Sequence, residues 1–242
     1  MFRTEKENYL KKHGFEACSL KTVLFDMDGV LFDSMPNHAY SWSHAMTAFG
    51  LHITPEEAYM HEGRTGSDTI GILARRHWGR DATDEEKQRI YKAKSDLFGN
   101  CPEAVKMPGA HELLRKVKAD GMTPVVVTGS GQVSLLDRLD KNFPGIFRRE
   151  LMVTSFDVEH GKPDPEPYLK GLQKAGIQPW QGIVVENAPL GIRAAKAARI
   201  FTVAVNTGPL PDSVLLEAGA DLLFPSMQSL CDHWETLRDT FV

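Results

Sequence analysis

Val23-Leu24-Phe25-Asp26-Met27-Asp28-Gly29-Val30-Leu31 decides how this chain is read. A short apolar run closed by a carboxylate is the pattern of a buried strand that ends at a polar position. The core behind such a strand fixes Asp26 in place. A carboxylate held there can act as a nucleophile and form an acyl phosphate that water later cleaves. Asp28, two residues on, can protonate the leaving oxygen and then deprotonate the water. Gly29 permits the sharp turn that follows. Taken alone, the motif fits a strand end capped by an Asx turn equally well.

Outward from this stretch, similar runs recur at Val125-Val126-Val127, Leu151-Met152-Val153, Ile183-Val184-Val185, Thr202-Val203-Ala204-Val205 and Leu222-Leu223-Phe224. Amphipathic segments separate them: Ala110 to Ala119, Val133 to Lys141, Pro165 to Ala175 and Leu190 to Ala198. Six strands alternating with helices predict an α/β fold with a parallel sheet covered on both faces. The stretch 36–105 breaks this rhythm. It is rich in helix formers, as in Asp84-Glu85-Glu86-Lys87-Gln88, and is expected to be an inserted helical domain. The core is then 21–35 together with 106–242, and 1–20 is expected to be a polar extension.

Ligands of open parallel sheets bind beyond the carboxyl ends of the strands. Asp26, Thr128 and Glu186 close three of the runs. In Val125 to Gln132, the Thr128 hydroxyl and the N–H groups of Gly129 and Ser130 suit phosphate oxygens at a helix start; a plain strand–helix turn capped by Ser130 is the bland alternative. Lys162, in the proline-stiffened His160-Gly161-Lys162-Pro163-Asp164-Pro165, can offset phosphate and carboxylate charge, although a surface lysine in a turn fits as well. Glu186-Asn187 is an oxygen pair suited to Mg2+, one as direct and one as water-mediated ligand in either order. Asn187 also fits a helix N-cap.

Composition adds bounds. With 242 residues, 42% hydrophobic, the chain can bury a full core. A net charge of -4 gives no reason to expect nucleic acid or an anionic membrane as partner. Cys18, Cys101 and Cys231 are scattered without metal spacing, the usage of a reducing compartment. The charged stretch Arg3 to Lys12 lacks the apolar centre of a signal peptide. A cytoplasmic monomer is the expectation.

The order Asp-x-Asp, Thr, Lys, acidic pair, all at strand ends, resembles the haloacid dehalogenase superfamily of phosphotransferases. Gly-Val-Leu-Phe-Asp-Ser (29–34) and Gly-Lys-Pro-x-Pro-x-Pro-Tyr (161–168) look like its β-phosphoglucomutase-like subgroup. The resemblance implies a Rossmann-like core and a four-helix cap that closes on the substrate. It implies Asp26 as nucleophile, Asp28 as general acid/base, and Thr128 and Lys162 as phosphate binders. It also implies Mg2+ held by Asp26, the Asp28 backbone carbonyl and the Glu186 region.

The chain departs from the subgroup at Asn187, where most relatives carry a second acid. His61-Glu62-Gly63-Arg64-Thr65-Gly66 sits where the subgroup has its specificity loop. Arg64 is a natural second-phosphate binder. Glu62 is expected either to enter the Mg2+ shell on closure, replacing the charge missing at Asn187, or to be a surface residue. A cap acid over the metal favours a small substrate. Pyrophosphate fits, with Arg64 and Lys92 or Lys94 on the leaving phosphate, and Glu62 with Glu-Asn-Ala-Pro-Leu-Gly looks like pyrophosphatase members of the subgroup. A sugar phosphomutase, using His38 ten residues after Asp28, and a sugar-phosphate phosphatase are the rival readings. A non-catalytic binding protein is the remote one.

Overall fold

The computed structural model describes residues 1–131 and 134–241; Gln132 and Val133, from the predicted phosphate loop and helix, lie outside them. In chain order the elements are α1 (Arg3–His13), β1 (Thr22–Phe25), α2 (Met35–Ala48), α3 (Pro55–Met60), α4 (Gly66–Trp78), α5 (Asp84–Gly99), α6 (Ala110–Ala119), β2 (Thr123–Val126), α7 (Ser134–Asn142), α8 (Glu166–Ala175), β3 (Gly182–Glu186), α9 (Pro189–Ala197), β4 (Phe201–Val205), α10 (Asp212–Glu217), β5 (Leu222–Phe224) and α11 (Met227–Thr240).

Among the described residues the sheet has five strands in the order β2-β1-β3-β4-β5, all parallel. Strand side chains alternate between faces, and both faces are apolar. Val23, Phe25, Ile183, Val185, Val203 and Val205 join Leu113, Phe143 and Trp234 in one cluster. Leu24, Val125 and Val184 join Tyr168, Leu172 and Ala194 in another. This double burial makes the strands continuous apolar runs.

One expectation is corrected. Leu151-Met152-Val153 is not a strand. Arg149–Leu151 forms a 3-10 turn, and only Val153 bridges the sheet, at Val127. The tight turn consumes the residues that a ladder would need. Residues 1–20 contain α1, which docks on the core. Tyr9 of α1 is fully buried in the core cluster, and its hydroxyl donates to the Arg199 carbonyl at 2.9 Å. Trp234 of α11 is fully buried and donates to Asp120 Oδ2 at 2.7 Å.

Helices α2 to α5 carry an apolar cluster of their own, in which Met46, Leu51, Ile70, Leu73 and Ile90 are fully buried. Thr83 and Glu86 close a capping box at the start of α5. The chain enters this segment after Asp33 and leaves it before Lys106, where Asp33 N–H donates to Val105 O at 2.9 Å.

Candidate active site

The strand order places three predicted residues side by side. β1 lies between β2 and β3, so Asp26 stands between Thr128 and Glu186 at the carboxyl edge. All three are buried. Asp26 N–H donates to Val185 O at 3.0 Å, which extends the ladder by one residue.

Lys162 reaches this point from the loop before α8. Its ammonium donates to Asp26 Oδ1 at 2.5 Å, Glu186 Oε1 at 2.6 Å and Val127 O at 3.2 Å. Glu186 is saturated. Its Oε1 also accepts from Tyr168 OH at 2.9 Å, and its Oε2 accepts from the N–H groups of Asn187 and Ala188 at 2.9 and 3.1 Å. Four donors leave Glu186 to hold Lys162 and the start of α9. Asn187 Oδ1, the other oxygen of the expected pair, is buried and accepts no hydrogen bond among the described residues.

Burial is the largest influence on Asp26 and pushes its carboxyl up. Lys162 opposes this, Glu186 and Asp28 add to it, and the value settles at about 7. Asp28 goes the other way. Burial would raise it, but His38 and Ser34 hold it down at about 2. Ser34 Oγ donates to Asp28 Oδ1 at 2.5 Å, and His38 Nε2 lies 3.4 Å from the same oxygen. Lys94 Nζ is 3.1 Å from His38 Nδ1. An ammonium only donates, so Nδ1 accepts and Nε2 carries the proton that faces Asp28. Lys94 is buried against Phe98 and Trp42, and its pKa falls to about 8 through desolvation. Lys92 instead pairs with Asp96 at the surface, 2.6 Å apart, and does not enter the site.

The segment between α3 and α4 lies directly over these groups. Asn187 Nδ2 donates to Glu62 Oε2 at 3.2 Å, and Glu62 Oε1 is buried without a partner among the described residues. Burial, followed by the fields of Asp26, Glu186 and Asp28, raises the Glu62 pKa well above normal. Gly63 has φ +82 and packs on the Lys162 stem. Gly29, also at φ +82, faces the Asn187 amide so closely that a Cβ would overlap it. A cavity of about 120 Å³ separates these layers, lined by Asp26, Asp28, His38, Glu62, Arg64 and Lys94, with Thr128, Gly129 and Ser130 on its rim. Thr128 Oγ1 accepts from Ser130 N–H at 3.1 Å, which leaves the hydroxyl hydrogen free to donate.

The free oxygens here belong to carboxylates and an amide, a donor set for a hard divalent cation. No three His, Cys, Asp or Glu side chains among the described residues form a ready cage. Mg2+ characteristically takes one or two carboxylates and fills the rest of its octahedron with water and phosphate. The orphaned Glu62 Oε1 and Asn187 Oδ1, beside Asp26 and Asp28, fit that demand.

Sequence reasoning missed Ser34, Tyr168 and Arg138. Ser34 and Tyr168 lie inside quoted motifs and had a signal. Arg138 had none, since an arginine on an amphipathic helix is ordinarily solvated.

Residues 23–205 match the family model of the haloacid dehalogenase-like hydrolases. This chain belongs to that family. It is 30% identical over 203 residues to a phosphorylated carbohydrates phosphatase of Thermotoga maritima, covering 83% of this chain and 92% of that one. It is 33% identical over 189 residues to hexitol phosphatase A of Escherichia coli, covering 77% and 83%. The solved structure described as "Putative beta-phosphoglucomutase from Bacteroides vulgatus" is 59% identical, covers 100% of this chain and 98% of its own, and superposes with a TM-score of 0.97. The family member is thus a phosphatase- or phosphomutase-like enzyme, as the β-phosphoglucomutase-like motifs implied. The expectation of pyrophosphate finds no support in these names. No helix among the described residues is long and apolar enough to cross a membrane.

Proposed function

We propose that this chain is a Mg2+-dependent phosphohydrolase acting on a small phosphorylated carbohydrate through an aspartyl-phosphate at Asp26. One observation carries the reading: a buried carboxylate at the tip of the central strand, with Lys162 Nζ at 2.5 Å and a second carboxylate two residues on. Phosphorylated carbohydrate replaces pyrophosphate as favoured substrate because the curated relatives above are named for such compounds.

In this reading an Asp26 oxygen attacks phosphorus in line with the leaving oxygen, and Asp28, held ionised in the free protein by His38 and Ser34, must first take up a proton with the bound substrate before handing it to that oxygen. Water then attacks the acyl phosphate and returns a proton to Asp28. Lys162 is held by Glu186 and Tyr168, so its charge is oriented before the substrate arrives. Thr128 and the Gly129-Ser130 backbone receive phosphoryl oxygens. Asp26, the Asp28 backbone carbonyl, Asn187 and Glu62 would hold Mg2+, which supplies Lewis-acid stabilisation of phosphoryl charge when bound. Helices α2 to α5, residues 36–105, act as a cap that brings Glu62, Arg64, His38 and Lys94 to the substrate and excludes water.

A phosphomutase is the second reading, favoured by the 59% identity to the Bacteroides vulgatus protein. It uses the same groups, with a sugar hydroxyl in place of water. Incubation with Mg2+ and glucose 6-phosphate, 2-deoxyglucose 6-phosphate, a hexitol phosphate and β-glucose 1-phosphate separates them. Free phosphate supports the hydrolase. Isomer formation without free phosphate overturns it in favour of the mutase, and neither product from any substrate restores the non-catalytic reading.

A further inference from the structure

The loop after β4, Asn206-Thr207-Gly208-Pro209, is braced on both sides. Asn206 N–H donates to Phe224 O of β5 at 2.8 Å. Its Nδ2 donates to Leu210 O at 2.9 Å and to Asp212 Oδ1, at the start of α10, at 2.6 Å. Thr207 N–H donates to Val205 O at 3.1 Å. Pro209 adds a fixed φ. Loops are ordinarily the mobile part of a fold, and this one is fastened to two neighbouring elements.

Two contacts lead out of the braced loop. The first reaches the turn after β1. Thr207 Oγ1 donates to Gly29 O at 2.6 Å, across 178 residues of sequence. Gly29 N–H donates to Phe32 O at 2.7 Å. That N–H shares a planar trans peptide with the Asp28 carbonyl, so the bond to Phe32 directs the carbonyl. Thr207 then fixes the next peptide of the same turn. The second contact reaches α3. A Cβ at Gly208 would stand 2.8 Å from two ring carbons of Tyr59. Gly208 does not have a positive φ, so its missing side chain serves this contact and not the turn. Tyr59 packs on the apolar cluster of α2 to α5 and precedes Glu62 by three residues. Burial, then the charges of Glu62 and of Asp33, raise the pKa of its hydroxyl.

Adjacent residues of one stiff loop therefore hold the turn that carries Asp28 and the helix that leads to Glu62. A shift of α3 presses on Gly208 and, one peptide away, on the Thr207 hydroxyl. We propose that this loop is a strap that couples the seat of α3 to the Asp28-Gly29 turn, with Thr207 as a positioning residue for Asp28. The effect on turnover rests on the phosphohydrolase reading; the mechanical coupling does not.

The test reads amide hydrogen exchange of the full chain without metal, over residues 26–32 and over 55–62. It adds Mg2+ binding by calorimetry without substrate, and steady-state hydrolysis of whichever carbohydrate phosphate above turns over fastest. Thr207→Val removes the donor at nearly constant volume. It is expected to speed exchange in both segments by about 10-fold. It should also weaken Mg2+ binding by about 10-fold and lower kcat by about 10- to 100-fold with KM nearly unchanged. Thr207→Ser, which keeps the hydroxyl, recovers most of each loss. Gly208→Ala displaces the Tyr59 ring and leaves Thr207 its hydroxyl. It is expected to quicken exchange over 26–32 as well as over 55–62, and it tests the coupling from the other end should Thr207→Val fail to fold. Exchange that quickens only over 26–32 in Thr207→Val and only over 55–62 in Gly208→Ala overturns the coupling. Unchanged kcat and Mg2+ affinity in Thr207→Val overturn the positioning role. Failure of the wild type to release phosphate from any of those compounds overturns the phosphohydrolase reading, and the exchange rates then decide the strap by themselves.

Discussion

Asn187 and Glu62 bring an amide and a carboxylate from distant parts of the chain to one point. In the proposed metal site the amide would offer an oxygen without charge, and Glu62, whose Oε2 accepts from Asn187 Nδ2 at 3.2 Å, would supply the charge. Replacing Glu62 with Gln is expected to weaken Mg2+ binding to the free protein by about 10- to 100-fold, read by calorimetry without substrate. Adding Asn187→Asp to that variant restores a carboxylate and recovers much of the loss. Unchanged binding in Glu62→Gln removes the residue from the metal. Lys94 carries a pH dependence. Its pKa of about 8 means that the ammonium is lost above that pH, where an anionic substrate loses a partner. We expect KM to rise as pH passes through 8, and Lys94→Met to lack this rise. Stability moves the opposite way. Between pH 8 and the ordinary lysine value the unfolded chain binds more protons, so the contribution of Lys94 to stability grows with pH. Chemical denaturation at pH 7.5 and 9.5 in the two proteins reads the sign.

At the scale of elements, α9 shows local preference and tertiary demand in conflict. Gly191 sits inside this helix, where alanine would be favoured by about 1 kcal/mol. A Cβ at Gly191 would overlap the Glu186 carboxylate. Glu186 cannot yield without releasing Lys162 and Tyr168, to which it is bonded. Gly191→Ala is therefore expected to destabilise the protein by about 1–3 kcal/mol and to lower kcat at least 10-fold. A gain in melting temperature with full activity would show that Glu186 has room to move. Helix α11 illustrates a different gap. Met227, Leu230, Cys231, Trp234 and Leu237 are fully buried along one face, an amphipathic spacing present in the sequence, yet it lies beyond the last strand and the reading assigned it no element. Leu151-Met152-Val153 shows the converse, an apolar run that bridges the sheet once, because hydrophobicity alone does not distinguish a strand from a buried turn.

In the whole molecule the chemistry and the anchoring of the chain lie at opposite ends of the sheet. Catalytic candidates stand past the carboxyl ends of β1, β2 and β3. Tyr9 packs at the other edge, against Phe201 at the start of β4, with its hydroxyl on Arg199 O. Tyr9→Ala is expected to cost about 3–5 kcal/mol of stability, read from denaturant midpoints, because a fully buried aromatic leaves a cavity. Turnover per folded molecule should stay within a factor of two, and a large loss would tie α1 to the site. The sequence by itself determined the alternation of apolar runs and helices, hence the parallel sheet, and the polar residues Asp26, Thr128 and Glu186 at the strand tips. Those are consequences of local periodicity and of chain order. Only the tertiary structure decided which oxygens of those residues remain free. Glu186 proved saturated, while one oxygen each of Asn187 and Glu62 has no partner among the described residues. Such saturation depends on partners as far apart in sequence as Glu62 and Asn187, and no local pattern encodes it.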